Sequence, residues 1–139
     1  MKERIRTANP QNSDKRQATR DMENKGYRQL NVYSKANGLV LLVYKFTKKF
    51  PREELFGLIS QMRRCAVSVV ANIVEGYSRR TANDKLQFYY IARGSLTELE
   101  YYIDLARNLG YLTEEEYLKL YEGREETGRL LNGFIKSVR

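Results

Sequence analysis

The sequence predicts an all-α protein, and three observations carry this prediction. Apolar residues recur at steps of three and four through four long segments, which is the spacing of one helix face. Short connectors around Pro51, Gly76 and Gly110 separate these segments. No run of alternating β-branched residues competes for a sheet. Because short connectors favour antiparallel neighbours, we predict an up-down-up-down four-helix bundle over residues 28–139.

The first two predicted helices meet at Pro51. Helix A is predicted over residues 30–50, where the apolar spacing is regular. Proline suits the first turn of a helix, and the two glutamates that follow Arg52 favour the positive end of the helix dipole. Helix B is therefore predicted to begin near Pro51. We expect it to end before Gly76, since glycine adopts the left-handed conformation of a C-terminal stop without a Cβ clash.

The last two predicted helices have clear start signals. Thr81 or Asn83 is the expected N-cap of helix C, which should stop before Gly110. Helix D is expected to begin with Thr113 as its N-cap. Glu116, three residues later, would complete a capping box in which each residue bonds the other's backbone N–H.

Residues 1–27 have a different composition from the predicted bundle. They are polar, lack helical periodicity, and carry seven Lys and Arg against four Asp and Glu. Such a segment cannot bury enough apolar surface to offset the entropy of ordering. We predict a disordered basic N-terminal arm.

The composition excludes several kinds of site. The chain has no histidine and one cysteine, Cys65. This excludes Ser-His and Cys-His dyads, imidazole metal sites and an internal disulfide. A metal site made of carboxylates alone stays open as an alternative, with Glu75, Glu98 and Glu100 as its ligands. We predict no enzymatic activity, no cofactor and no metal.

The sequence also predicts a cellular location. No apolar run approaches the roughly 18 residues that a membrane span needs. The first residues lack the apolar core of a secretory signal, and a single cysteine fits a reducing compartment. We therefore expect a soluble cytoplasmic protein with no membrane partner.

The net charge of +8 is unevenly distributed along the chain. Residues 28–93 carry twelve Lys and Arg against four Asp and Glu, while residues 94–139 carry six against nine. An excess of this kind favours a polyanionic partner, which we expect to be RNA or DNA. The predicted nucleic-acid contacts form one cluster at each end of the bundle: Lys45, Lys48, Lys49 and Arg52 at the A-B end, and Arg79, Arg80 and Lys85 at the B-C end.

Helices B and C carry apolar or small residues on two faces. In helix C, a second stripe through Tyr90, Gly94, Thr97 and Tyr101 lies beside the stripe that faces the core. One bundle core cannot cover both, so the pattern favours a homo-oligomer. The alternative is an ordinary amphiphilic surface, since Tyr and Thr tolerate water. The predicted subunit interface comprises Arg63, Arg64, Glu75, Tyr90, Gly94, Thr97 and Tyr101.

Two readings of Arg63 and Arg64 stay open. Either arginine could contact phosphate, or it could pair across an interface with a carboxylate such as Glu75, Glu98 or Glu100. We favour the interface for at least one of them, because a desolvated guanidinium among apolar residues needs a partner.

Two smaller predictions concern helix B. Asn72 is expected to make a capping or inter-helix hydrogen bond. Cys65 is expected to behave as a small buried hydrophobe.

Three segments of the chain carry a family resemblance: "FPREELFGLISQMRRCAVSVVANIVEGYSRR", "FYYIARGSLTELEYYIDLARNLGYL" and "GRLLNGFIKSVR". They resemble the bacterial four-helix-bundle protein family, whose members are encoded in intervening sequences of 23S ribosomal RNA genes. The resemblance covers roughly residues 28 to 138. The chain departs from the family pattern at Cys65, where many members have Ala, and near Val70.

The resemblance implies a four-helix bundle that assembles as a ring-like homopentamer. It also implies kinship with the accessory variability determinant of diversity-generating retroelements, a basic pentameric bundle that binds RNA and the element's reverse transcriptase. A reverse transcriptase is therefore one of the expected partners.

Taken together, these observations predict a non-enzymatic homo-oligomeric scaffold whose basic surface binds RNA or another nucleic acid. The accessory subunit of a retroelement reverse transcriptase is the narrower version of this hypothesis. The alternative is a protein-protein interaction adaptor with no nucleic-acid role. A carboxylate-based enzyme is the third hypothesis.

Overall fold

The structure, a computed structural model, describes residues 9–23 and 25–139. Within these ranges it is all-α and contains no strand. Two short 3-10 helices, Gly26–Gln29 and Arg52–Glu54, precede the second and third α-helices. The α-helices are α1 (Pro10–Glu23), α2 (Asn31–Thr47), α3 (Leu58–Tyr77), α4 (Ala82–Asn108) and α5 (Glu114–Val138).

Helices α2 to α5 surround one hydrophobic core. Helix α3 packs on α2 and α4, and α5 packs on the same two helices. Burying one large aliphatic side chain stabilises a fold by about 1.5–3 kcal/mol. The largest fully buried side chains in this core are Met62, Ile73, Tyr89, Leu96, Leu99, Ile103, Leu120, Leu131 and Ile135.

The order of the contacting residues along two packed helices shows the relative direction of those helices. Ser68 of α3 hydrogen-bonds Ser95 of α4, and further along α3 Gly76 lies against Tyr89. Helices α3 and α4 are therefore antiparallel. The same reversal relates α2 to α5, which are joined by the ion pairs Lys35–Glu126 and Lys49–Glu116.

The predicted start and stop signals of the last two helices are confirmed. Thr81 is the N-cap of α4, and its side chain accepts a hydrogen bond from the backbone N–H of Asp84 at 3.2 Å. Thr113 and Glu116 form the complete capping box at the start of α5. Gly110 has a φ of +78°, the left-handed conformation expected of a helix stop.

The connection between α2 and α3 is longer than predicted. Helix α3 begins at Leu58 and not near Pro51, because the chain first makes the 3-10 turn and then passes through Gly57. The carboxylate of Glu54 accepts the backbone N–H of Leu58 at 3.0 Å, which satisfies one donor at the start of α3. Leu55 consequently lies before α3 and is 47% exposed.

The prediction that Gly76 stops the third helix is wrong. Helix α3 continues to Tyr77, and among the described residues only Gly26 and Gly110 have a positive φ. A Cβ at position 76 would lie 2.6 Å from Cε1 of Tyr89. Glycine at this position therefore lets α4 approach α3 closely.

The predicted arm lies partly outside the described residues, which omit 1–8 and Asn24. Residues 10–23 form α1 and not an irregular chain, yet none of them is buried. The boundary between an arm and a bundle stays a prediction. No helix within residues 9–23 and 25–139 is long and apolar enough to cross a membrane.

Gly76→Ala is expected to lower the free energy of unfolding by about 1–3 kcal/mol, because the added methyl group would overpack against Tyr89. Gly38→Ala in α2 is the matched control. A Cβ at position 38 meets no atom within 4 Å, so alanine's higher helix propensity should raise stability by about 0.5–1 kcal/mol. Urea unfolding followed by circular dichroism measures both variants. A neutral Gly76→Ala would contradict the close approach.

Candidate nucleic-acid interface

The A-B cluster lies where α2 ends and the 3-10 turn begins. Lys45 is in the last turn of α2, Lys48 follows the helix, and Arg52 opens the 3-10 turn. All three side chains are exposed. Within residues 9–23 and 25–139, no carboxylate forms a salt bridge with any of them. Three cations of this cluster are thus available to an anionic partner.

The fourth member, Lys49, already has a partner within the chain. Its Nζ lies 2.5 Å from Oε2 of Glu116, whose side chain is largely buried. Burial raises the pKa of Glu116, but the Lys49 ammonium and the Thr113 capping groups lower it by more than burial raises it. The pKa of Glu116 therefore lies below its usual value. Lys49 therefore ties the end of α2 to the start of α5.

The B-C cluster lies at the far end of α3. The 20 residues of α3 separate the two clusters by about 30 Å along the helix axis. The Arg79 guanidinium lies 2.6 Å from a Glu75 carboxylate oxygen and over the Phe88 ring. Lys85 donates to the Tyr77 carbonyl at 2.8 Å. Arg80 is exposed and forms no salt bridge with another described residue.

Arg63 is held by residues of its own chain. Its Nε donates to the Thr47 hydroxyl at 3.0 Å, and its guanidinium carbon lies 4.6 Å from the centre of the Tyr44 ring. Thr47 is fully buried and donates in turn to the Val43 carbonyl. Sequence reasoning missed Thr47, although a polar residue on the apolar side of helix A was a visible signal. Arg64, in contrast, is exposed.

The three carboxylates considered as partners for these arginines bind other groups within the chain. Glu75 pairs with Arg79, and Glu98 accepts the Tyr102 hydroxyl at 2.9 Å. Glu100 pairs with Arg124 at 2.6 Å. Pairing of Arg63 or Arg64 across a subunit interface stays a prediction. Among the described residues, no group of three Cys, Asp or Glu side chains could hold a metal ion.

The second stripe of α4 faces outward in the single chain. Tyr90 is 38% exposed and Tyr101 is 62% exposed, while Gly94 and Thr97 lie between them on the surface. A Cβ at position 94 would meet no atom within 4 Å. Packing within the chain therefore does not require glycine there, and the predicted subunit contact stays a prediction.

A polar network lies between α3 and α4. The Asn72 amide donates to the Ser68 carbonyl and hydroxyl, and Ser68 in turn hydrogen-bonds Ser95 of α4 at 2.9 Å. Both bonds of the Asn72 amide stay within α3, so the capping or inter-helix hydrogen bond predicted for Asn72 is wrong, and Ser68 makes the inter-helix bond instead. Cys65 is buried, as predicted. Burial, together with the neighbouring Glu98 carboxylate, raises the pKa of the Cys65 thiol to about 12.

These features define a class of protein: an all-helical chain whose four long helices share one core, with cations gathered at the helix ends. Comparison with known proteins specifies the class further. The family described as 23S rRNA-intervening sequence protein matches residues 28–133. The chain belongs to this family.

A solved structure has the same fold. It is a protein of unknown function from the S23 ribosomal protein family of Bacteroides thetaiotaomicron VPI-5482, and it superposes on this chain with a TM-score of 0.69 at 25% sequence identity. The alignment covers 76% of this chain and 95% of that one. No curated protein matches the sequence.

Glu116→Gln is expected to lower the free energy of unfolding at pH 7 by about 1 kcal/mol, since glutamine keeps the capping box but loses the charge paired with Lys49. The pKa of Glu116 is lowered in the folded state. Its contribution is therefore present above the unfolded pKa, near 4.5, and is lost as the pH falls through the folded value. The two proteins should converge in stability only as the pH falls below the folded pKa of Glu116, which itself lies below 4.5.

Urea unfolding between pH 3 and pH 7 measures this dependence. Glu115→Gln is the control, because Glu115 is exposed and its i,i+4 pair with Lys119 is worth at most about 0.5 kcal/mol. A constant gap between Glu116→Gln and the parent at every pH would contradict the role of the charge.

Proposed function

We propose that the chain is a non-enzymatic homo-oligomeric scaffold that binds RNA through backbone phosphates at its helix ends. The observation that carries this proposal is the A-B cluster. Lys45, Lys48 and Arg52 are exposed, lie within eight residues of sequence, and form no salt bridge with a described carboxylate. Cations without internal partners bind phosphate without first breaking an ion pair.

The B-C cluster contributes less in this proposal. Arg79 and Lys85 have partners within the chain, so a phosphate would compete with Glu75 and with the Tyr77 carbonyl. Arg80 is its accessible cation. Contact through backbone phosphates gives affinity with little sequence selectivity, so DNA of the same length is expected to compete with RNA.

Assembly would multiply this charge. We propose an up-down-up-down bundle that forms a ring, with the pentamer implied by the family resemblance as the expected state. The α4 stripe with Tyr101 supports a subunit contact, as does a second exposed surface beside α3. There Phe56 is 92% exposed, and Leu55, Val67 and Tyr44 line an open cavity of about 480 Å³ next to Arg63. Exposed apolar patches of this kind mark interaction surfaces.

The narrower proposal is an accessory subunit of a retroelement reverse transcriptase. Its support is the family resemblance together with the unpaired cations. The exposed surface around Phe56 favours a second candidate function, a protein-protein interaction adaptor that uses its charge for an acidic protein. RNA binding at low salt separates the two.

Replacing Lys45, Lys48 and Arg52 together by Gln is expected to weaken RNA binding and flatten its salt dependence. Each lost contact with a single-stranded phosphate lowers the slope of log K against log salt by roughly 0.7, so three lost contacts lower it by roughly 2 per subunit. Fluorescence anisotropy with a labelled single-stranded RNA at four salt concentrations measures the slope.

The matched control removes three cations that already have carboxylate partners. Lys35, Lys119 and Arg129 pair with Glu126, Glu115 and Glu126, respectively. Their replacement by Gln gives the same net charge, so a slope change of equal size would contradict the assignment to the A-B cluster. If the parent protein binds no RNA at low salt, the RNA role is wrong and the adaptor is favoured.

Tyr101→Arg is expected to dissociate the oligomer, because a guanidinium on the α4 stripe would be desolvated without a partner. Tyr121→Arg in α5 is the control, since Tyr121 is 41% exposed and lies outside the predicted interface. Light scattering after size exclusion gives the mass. The parent protein is expected at five times the 16.4 kDa chain mass. A parent mass of one chain would contradict assembly.

A further inference from the structure

A cleft between α4 and α5 lies near the end of the bundle where α4 begins and α5 ends, which is the same end as the B-C cluster. It has a volume of about 290 Å³ and is lined by Arg93, Asn132, Ile135, Lys136 and Arg139. Among the described residues, its polar side chains are therefore three cations and one amide, with no acidic side chain. Asn132, Lys136 and Arg139 reach it together because positions i, i+4 and i+7 share one face of α5.

The cations of this cleft differ from their neighbours on the same helices. Arg107, Arg124 and Arg129 each form a salt bridge with a glutamate. Within residues 9–23 and 25–139, Arg93, Lys136 and Arg139 form none. Residues 94–139 have an excess of acidic side chains overall. Lys136 and Arg139 thus lie in the acidic last third of the chain, and they meet Arg93 from the end of the basic segment.

Tyr90 orients both guanidinium groups. Arg139 donates from Nη2 to the Tyr90 hydroxyl at 3.0 Å, and the Arg93 guanidinium carbon lies 5.0 Å from the centre of the Tyr90 ring. One aromatic side chain therefore contacts two arginines from different helices. This arrangement reduces the side-chain entropy that a ligand would otherwise have to remove on binding.

We propose that this cleft binds a phosphate group. Two guanidinium forks and an ammonium supply donors that match phosphate oxygens, and the Asn132 amide adds one more. A larger open cavity of about 790 Å³ shares Arg93 and Asn132 with the cleft. That cavity is also lined by Glu122, Glu125 and Glu126, so the excess of positive charge is confined to the smaller cleft. The phosphate belongs either to a free nucleotide or to a nucleic-acid backbone, and the chemistry of recognition is the same.

The cleft contains no residue of the A-B or the B-C cluster, so it does not rest on the proposed function. Arg93, Lys136 and Arg139 are exposed, so their replacement should not disturb the fold. Replacing all three by Gln is expected to weaken binding of pyrophosphate at least roughly tenfold, since each charge-assisted hydrogen bond lost contributes substantially.

Isothermal titration of the full-length protein with pyrophosphate measures the affinity. The matched control replaces Lys15, Arg16 and Lys119 by Gln, because it loses the same number of exposed cations at positions outside the cleft and outside both helix-end clusters. It should bind pyrophosphate within about twofold of the parent, since small net-charge effects are screened by salt. Equal weakening in both variants would overturn the proposal, as would a parent protein that binds no pyrophosphate.

Side-chain NMR of the parent protein supplies a second measurement that needs no variant. The Nε–Hε signals of Arg93 and Arg139 should shift on titration, ahead of those of Arg52 and Arg80. If an RNA oligonucleotide without a terminal phosphate also shifts them, the ligand is a backbone phosphodiester. If only pyrophosphate or a nucleotide does so, the ligand is a free phosphate compound. Arginine signals that do not move with any of these would overturn the proposal.

Discussion

The close contact between α3 and α4 is the constraint on which the other features depend. Gly76 leaves space for the ring of Tyr89, which is fully buried, and the hydroxyl groups of Ser68 and Ser95 meet halfway along the pair. Small side chains allow two helices to approach closely and fix their relative register. With one face of α4 committed to α3 and the core, the stripe that includes Tyr101 is turned outward. The surface that we propose for assembly is thus a consequence of how the core packs.

Pairing within the chain divides its cations into two groups with different roles. Lys49 and Arg124 have carboxylate partners on other helices, and each pair holds two helices together. Lys45, Lys48 and Arg93 have no such partner among the described residues. Net charge alone does not distinguish the groups, because paired and unpaired cations count equally in it. The distinction decides which side chains an anion can reach at low energetic cost.

The sequence predicted those features that depend on neighbours within one or two turns. Periodicity located the four long helices, and the capping box of Thr113 and Glu116 follows from two residues three positions apart. Features that depend on contacts with another helix could not be predicted from the sequence. The role of Gly76 requires Tyr89 of the next helix, and the partner of Arg63 is Thr47 of the preceding one. The α4-α5 cleft was missed for the same reason, since Arg93 meets Lys136 and Arg139 only when α5 packs on α4.

The state of Cys65 has a practical consequence for studying the assembly. The thiol is buried, and with a pKa of about 12 it is almost entirely protonated at neutral pH. Thiol-directed reagents react with the thiolate, so the natural chain offers them almost no target. A cysteine introduced on the surface would be the one reactive thiol among the described residues. The protein is therefore a ready template for placing a single spin label or fluorophore and measuring distances between subunits, with its own cysteine left in place.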